Sequence, residues 1–122
     1  MKVILADGQA RIRNALKLLL LEEPEVEVVG EAAKEEELLS MLAHEMPDVL
    51  ILDWGFPSAR PKDLLEQIKR EFQQIRVVVM AKHMVEAREA GDAGAHALII
   101  KTDAPDRLLE HLRSFRRGGQ RE

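Results

Sequence analysis

Short apolar runs punctuate the chain at Val3 to Ala6, Val26 to Glu31, Val49 to Leu52, Ile75 to Met80 and Ala97 to Ile100. Only the second partly alternates. Such runs predict strands buried on both faces, as in a parallel sheet. Between them, apolar residues return at helical spacing. Ile12, Ala15, Leu16, Leu19 and Leu20 mark the first helix; Leu38, Met41 and Leu42 the second; Leu64, Leu65, Ile68 and Phe72 the third. Met84 to Asp92 is a short, weaker fourth, and Leu108, Leu112 and Phe115 mark a fifth. Pro105 suits the first turn of that last helix, with Thr102 or Asp103 as caps, and Gly118 and Gly119 are expected to end it.

Strands alternating with helices predict a (βα)5 chain in the α/β class. Right-handed crossovers then give a three-layer sandwich with helices on both faces of an open parallel sheet. The expected strand order is the flavodoxin-like 2-1-3-4-5, whose ligand crevice lies at the carboxyl ends of the strands, between the first and third.

That topology gives meaning to the polar residues at the strand ends. Asp7 ends the first strand, Asp53 the third and Lys101 the fifth, so all three are expected at one edge. Neighbouring strands lie about 4.8 Å apart. Two carboxylates that close repel and need a cation, which Lys101 or a hard metal such as Mg²⁺ can supply. A carboxylate held there is also a nucleophile able to form an acyl phosphate. Taken singly, each residue reads as a solvated strand end; their convergence is what carries the site.

Composition narrows the class. The chain of 122 residues suits one domain and contains no cysteine, so thiolate metal sites and disulfides are excluded. A net charge of -4 argues against direct nucleic-acid binding. No apolar run approaches the roughly 20 residues needed to span a bilayer, and a cytoplasmic location is expected. His44, His83, His96 and His111 share no metal-like spacing. Glu35, Glu36 and Glu37 suit a solvated helix start. Lys82 either points at the acid pocket or is solvated, and Trp54 is either an exposed contact or a lid on the pocket. Arg113, Arg116 and Arg117 read as a solvated helix end or a contact for an anionic partner.

VILAD at 3 to 7, EVVGEA at 27 to 32, PDVLILDWGFP at 47 to 57, VVVMA at 77 to 81 and GAHALIIK at 94 to 101 together resemble the receiver domain of bacterial two-component response regulators, of the CheY-like kind. The resemblance covers about residues 2 to 116, giving a receiver over 1–116 and a tail or linker over 117–122. EVVGEA and the Asp7–Asp53 spacing point to the subgroup with C-terminal helix-turn-helix output domains. The resemblance implies a signalling module rather than an enzyme. It makes Asp53 the phosphoryl acceptor, Asp7 part of the acidic Mg²⁺ pocket, the Gly55 carbonyl a metal ligand, Lys101 the partner of the carboxylate or phosphoryl group, and Pro57 the residue that shapes the following loop. It further implies a histidine kinase or output domain as partner, and a homodimer through the helix 4–strand 5–helix 5 face.

Functional positions depart from the family pattern. Gly8 stands where the second acid is usual, Ala81 where Ser or Thr ends strand four, and Leu98 where strand five carries Tyr or Phe. The stretch from Ala81 to Lys101 is also shorter than usual. Metal, phosphoryl contact and aromatic switch are each affected. The expectation is therefore a degenerate receiver working by protein contacts, with Mg²⁺ bound weakly if at all and Asp53–Lys101 surviving as an ion pair. The competing expectation is a conventional receiver phosphorylated on Asp53 by a histidine kinase and controlling a DNA-binding output domain. A flavin binder is a third, disfavoured because the loop DGQAR offers no hydroxyl to a phosphate.

Overall fold

The structure, a computed structural model, describes residues 1–58, 60–103 and 105–120, with the backbone alone for 117–120. Strands β1 (Lys2–Ala6), β2 (Glu27–Ala32), β3 (Val49–Asp53), β4 (Arg76–Ala81) and β5 (Ala97–Ile100) alternate with helices α1 (Ala10–Leu20), α2 (Glu35–Glu45), α3 (Pro61–Glu71), α4 (Met84–Asp92) and α5 (Asp106–Gln120). All strand pairs are parallel and the order is β2-β1-β3-β4-β5, as the alternation predicts.

The strand period explains the two cores. Ile4, Ala6, Leu50, Leu52, Val77 and Val79 face α2 and α3, where Leu38, Leu42, Leu64, Leu65 and Ile68 close over them. The intervening Val3, Leu5, Val49, Ile51 and Val78 face α1 and α5, against Leu16, Leu20, Leu108, Leu109 and Leu112. Every residue of β3 is buried, which is why its sequence shows no polar alternation. The β1–β2 ladder shifts register, pairing Val3 with Val28 but Ile4 with Gly30, so Val29 is skipped.

Several helix ends differ from expectation. Asp103 does not cap α5; its carboxylate folds back to accept the Ile100 N–H at 3.0 Å. The Pro105 carbonyl instead accepts the Leu108 N–H at 3.2 Å at the start of the helix. Gly118 and Gly119 lie within α5, which continues to Gln120. The 117–122 tail is thus helical over 117–120; residues 121 and 122 lie outside the described residues. The acids of the α2 first turn are partly engaged rather than only solvated: Glu37 accepts the Ala33 N–H at 3.0 Å and Glu35 accepts the Ser58 hydroxyl at 2.7 Å.

His96 is used structurally. Its Nδ1 accepts the Val77 N–H at 2.9 Å, and its backbone N–H donates to the Val77 carbonyl at 2.9 Å, tying the approach to β5 onto β4. Loss of hydration, with Lys69 and Arg76 nearby, lowers its pKa below the ordinary 6.5. A folded pKa below the unfolded one means that the folded state binds fewer protons. The contribution is full above the unfolded pKa and declines as pH falls through it. Urea midpoints followed from about pH 7 to about pH 5 should therefore fall more steeply in the wild type than in His96→Asn. Equal slopes would count against this role.

Candidate functional site

Ladder register assembles the strand-end residues. Ala6 pairs with Leu52, so Asp7 and Asp53 follow as neighbours. Ala81 pairs with Ile100, and the Lys101 N–H continues the ladder to the Ala81 carbonyl at 2.8 Å. Asp7 and Asp53 are the buried charged residues among those described, at 2% and 8% exposure. The Lys101 ammonium reaches Asp53 Oδ1 at 2.7 Å, with its side chain only a quarter exposed. The three residues picked from the strand ends thus form one cluster, and Lys101, not the exposed Lys82, is the cation on Asp53.

Asp7 is held differently. Its Oδ1 accepts the Gln9 N–H at 2.8 Å, and Arg13 donates to its carbonyl at 2.7 Å. Burial pushes the Asp7 carboxyl above its ordinary range; the Gln9 bond opposes this, the Asp53 charge adds to it, and Lys101 and Arg13 oppose it further. Arg13 is itself fixed by Glu31 at 2.8 Å, and Lys17 meets the same carboxylate at 2.5 Å. Those two cations hold the Glu31 carboxyl below the usual range. Sequence reasoning passed over Arg13, Lys17 and Glu31. The signal was there: Arg13 and Lys17 share a helix face, and Glu31 sits near the end of the strand beside β1.

The segment after Asp53 is anchored rather than loose. Trp54 is buried at 5% exposure within the α2–α3 core, so it is neither an exposed contact nor a lid. Its N–H donates to the Met80 carbonyl at 2.9 Å. Phe56 is buried in the same core and its N–H returns to the Asp53 carbonyl at 2.9 Å. Gly55 passes close to Asp53; a Cβ there would lie 3.2 Å from Asp53 Oδ2. Pro57 leans over the first loop, where a Cβ at Gly8 would meet its ring at 3.0 Å.

For a hard cation, the donors would be Asp7, Asp53 and the Gly55 carbonyl. One oxygen of each carboxylate already accepts an N–H, from Gln9 and from Lys101, and Gly8 presents a proline ring instead of a third acid. Among the described residues no three His, Cys, Asp or Glu side chains group as a metal set. Asp7 Oδ2, Asp53 Oδ2 and the Gly55 carbonyl are what this set leaves to meet a cation. The groups brought together are a buried carboxylate, Asp53, and one ammonium paired with it. Ala81 is fully buried and brings no hydroxyl, and Leu98 packs toward α4, its Cδ1 3.4 Å from where a Gly91 Cβ would stand.

The basic residues near the chain end are exposed, as expected of a solvated helix end, and pair at the surface: Arg113 with Glu23 and Arg116 with Glu25. Arg117 lies outside the described side chains. No helix among the described residues is long and apolar enough to cross a membrane.

Comparison with known proteins agrees with this geometry. The chain is 29% identical to the response regulator protein VraR of Staphylococcus aureus over 120 residues, covering 96% of the chain and 57% of VraR. It is 26% identical over 115 residues to the uncharacterized transcriptional regulatory protein YhcZ of Bacillus subtilis, covering 90% of the chain and 52% of YhcZ. The chain thus spans about half the length of these curated relatives. The isolated receiver domain of RcsB from Salmonella enterica serovar Typhimurium, solved with a phosphomimetic, superposes with a TM-score of 0.90 at 25% identity over 97% of this chain and 89% of that one. RcsB dimers bound to DNA match equally well, with 61% of that chain covered. The description "Response regulator receiver domain" fits residues 3–113. With an acidic pair and a lysine at the carboxyl edge of a 2-1-3-4-5 sheet, the chain belongs to the response regulator receiver domain family.

Proposed function

We propose that this receiver works mainly through protein contacts, with Mg²⁺-dependent phosphoryl switching weak or absent. The observation that carries this reading is the Pro57 ring standing over Gly8, where an acid would have to enter, while Lys101 already neutralises Asp53. A phosphoryl group arriving at Asp53 can keep Lys101 as its partner but finds no hydroxyl at Ala81. Relatives named as a response regulator and a transcriptional regulatory protein support a role in two-component signalling, and a histidine kinase or output domain as partner and a cytoplasmic setting belong to the same proposal.

The test is to incubate the protein with a small phosphodonor and Mg²⁺ and weigh it. Little or no added phosphoryl mass supports the proposal. Stoichiometric, Asp53-dependent incorporation would establish the conventional receiver instead. Trp54, buried beside Asp53, reports metal entry: its fluorescence should change little at about millimolar Mg²⁺. Gly8→Asp should strengthen binding modestly, and Gly8→Asp with Pro57→Ala more, because the ring no longer crowds the new carboxylate. Equal affinities for the two variants would dismiss the Pro57 contact as irrelevant.

Association of two copies is proposed through α4, β5 and α5, where Met84 and Val85 stand exposed at 67% and 65%. Arg113, turned instead to Glu23, lies off this face. Sedimentation of Val85→Glu should show any dimer lost; a dimer indifferent to it uses another face.

A further inference from the structure

The two buried acids adjoin a strap of exposed backbone. Gly8, Gly55 and Pro57 are exposed, whereas Asp7 and Asp53 are buried. Gly55 stands against Asp53 Oδ2, and two residues later the Pro57 ring stands against Gly8, the residue after Asp7. The Ala33 carbonyl lies 4.0 Å from the same Gly8 Cβ position. Loops following β1, β2 and β3 therefore meet at Gly8, and segment 55–57 runs from one acid to the other.

Both ends of the strap are fastened. At the Asp53 end, the Trp54 N–H donates to the Met80 carbonyl and the Phe56 side chain is buried. At the far end the Ser58 hydroxyl donates to Glu35 Oε1 at 2.7 Å, across 23 residues of sequence. Ser58 is half-buried, and Glu35 opens α2, which Leu38 and Leu42 anchor in the core. A hydroxyl bonded to a carboxylate belongs to the stronger, charge-assisted class. Among the described residues no other hydrogen bond fastens Pro57 or Ser58, and Pro57 has no N–H to offer.

We infer, on the reading of this chain as a weakly metal-binding receiver, that Ser58 and Glu35 form a latch holding the 55–58 strap closed over the acid pocket. The latch, besides the missing acid at Gly8, keeps cation affinity low. A cation binds Asp7 and Asp53 from the opened strap, so its apparent affinity is the intrinsic affinity scaled by the open fraction. Each opening breaks the Ser58–Glu35 bond, and deleting that bond raises the open fraction about tenfold.

The experiment titrates Mg²⁺ into the whole chain and into Ser58→Ala, Glu35→Ala, their double variant and Ser58→Thr, following amide resonances of residues 53–56. Ser58→Ala and Glu35→Ala should each tighten binding about tenfold, and the double variant no further, because both remove the same bond. Loss of the Glu35 charge by itself weakens attraction for Mg²⁺, so tighter binding there reports opening. Ser58→Thr keeps the hydroxyl and should match the wild type. A second readout needs no metal: hydrogen exchange of the Gln9 N–H, bonded to Asp7 beside the strap, should quicken in the latch-free variants alone. Neither side chain is buried, and circular dichroism verifies that the fold is kept. Affinity unchanged by Ser58→Ala, additive effects in the double variant, or exchange no faster than in the wild type would overturn the latch. Tight Mg²⁺ binding by the wild type overturns the weak-metal reading instead, and the ratio of variant to wild-type affinity still decides the latch.

Discussion

Lys101→Met should destabilise the fold by about 2 kcal/mol, and Asp53→Asn by a similar amount. Breaking a fully buried ion pair costs about 3–5 kcal/mol because the remaining charge is stranded; here Lys101 is partly solvated, which lowers the figure. The sign of the Asp53 effect is the informative part. In a pocket crowded with acids awaiting a metal, removing one carboxylate relieves repulsion and stabilises the fold. In this pocket Asp53 is the carboxylate the ammonium holds, at 2.7 Å, while Asp7 relies on the Gln9 N–H. The double variant Lys101→Met with Asp53→Asn should lose less than the sum of the single losses, since no charge is stranded. Urea denaturation without metal reads all of these. An Asp53→Asn protein more stable than wild type would show that repulsion dominates and that the pair is not structural.

The larger effect concerns switching. Beryllofluoride, mimicking a phosphoryl group on Asp53, should shift amide resonances near Asp53 and leave α4 and β5 nearly untouched. A ligand moves a conformational equilibrium only by its differential affinity for the two states. Taking a protein from mostly off to mostly on needs about 5.5 kcal/mol. A hydrogen bond to a charged phosphoryl oxygen is worth about 1.5–3 kcal/mol, and Ala81 cannot make it. No aromatic ring is available at Leu98, whose aliphatic side chain already packs against the core beneath α4. Lys101 attracts the mimic in either state and so drives neither. Broad shifts reaching α4 and β5 would mean an intact switch and would favour the conventional receiver.

The strand order and the Asp7–Asp53–Lys101 cluster were legible because both follow from local pattern. Buried runs announce strands, and a polar residue at the end of each run is carried to the same edge by parallel topology. What the pattern could not reach were contacts between segments distant in sequence. Trp54 looks the same in sequence whether it covers the pocket or enters the core; α2 and α3 decide it. Arg113 and Arg116 stay exposed as a solvated helix end, but no local pattern announces that the α1–β2 loop brings Glu23 and Glu25 beside them. Gly118 and Gly119 are poor helix formers, yet α5 continues through them. Pro57 over Gly8 required the register of two loops, which no periodicity encodes.

The skipped residue in β2 has a consequence for how the module tolerates crowding. An outermost strand offers a row of unpaired N–H and C=O groups to any foreign chain, and a long flat row templates amyloid-like addition. At Val29 the slip interrupts that row; an extra residue of this kind bends the strand that carries it, so an incoming strand does not stay in register along β2. The opposite border, β5, is only four residues long, too short to hold a stranger firmly. A sheet with one broken border and one stunted border can remain at high concentration without zipping to its own copies, leaving its helical faces as the surfaces through which partners are chosen.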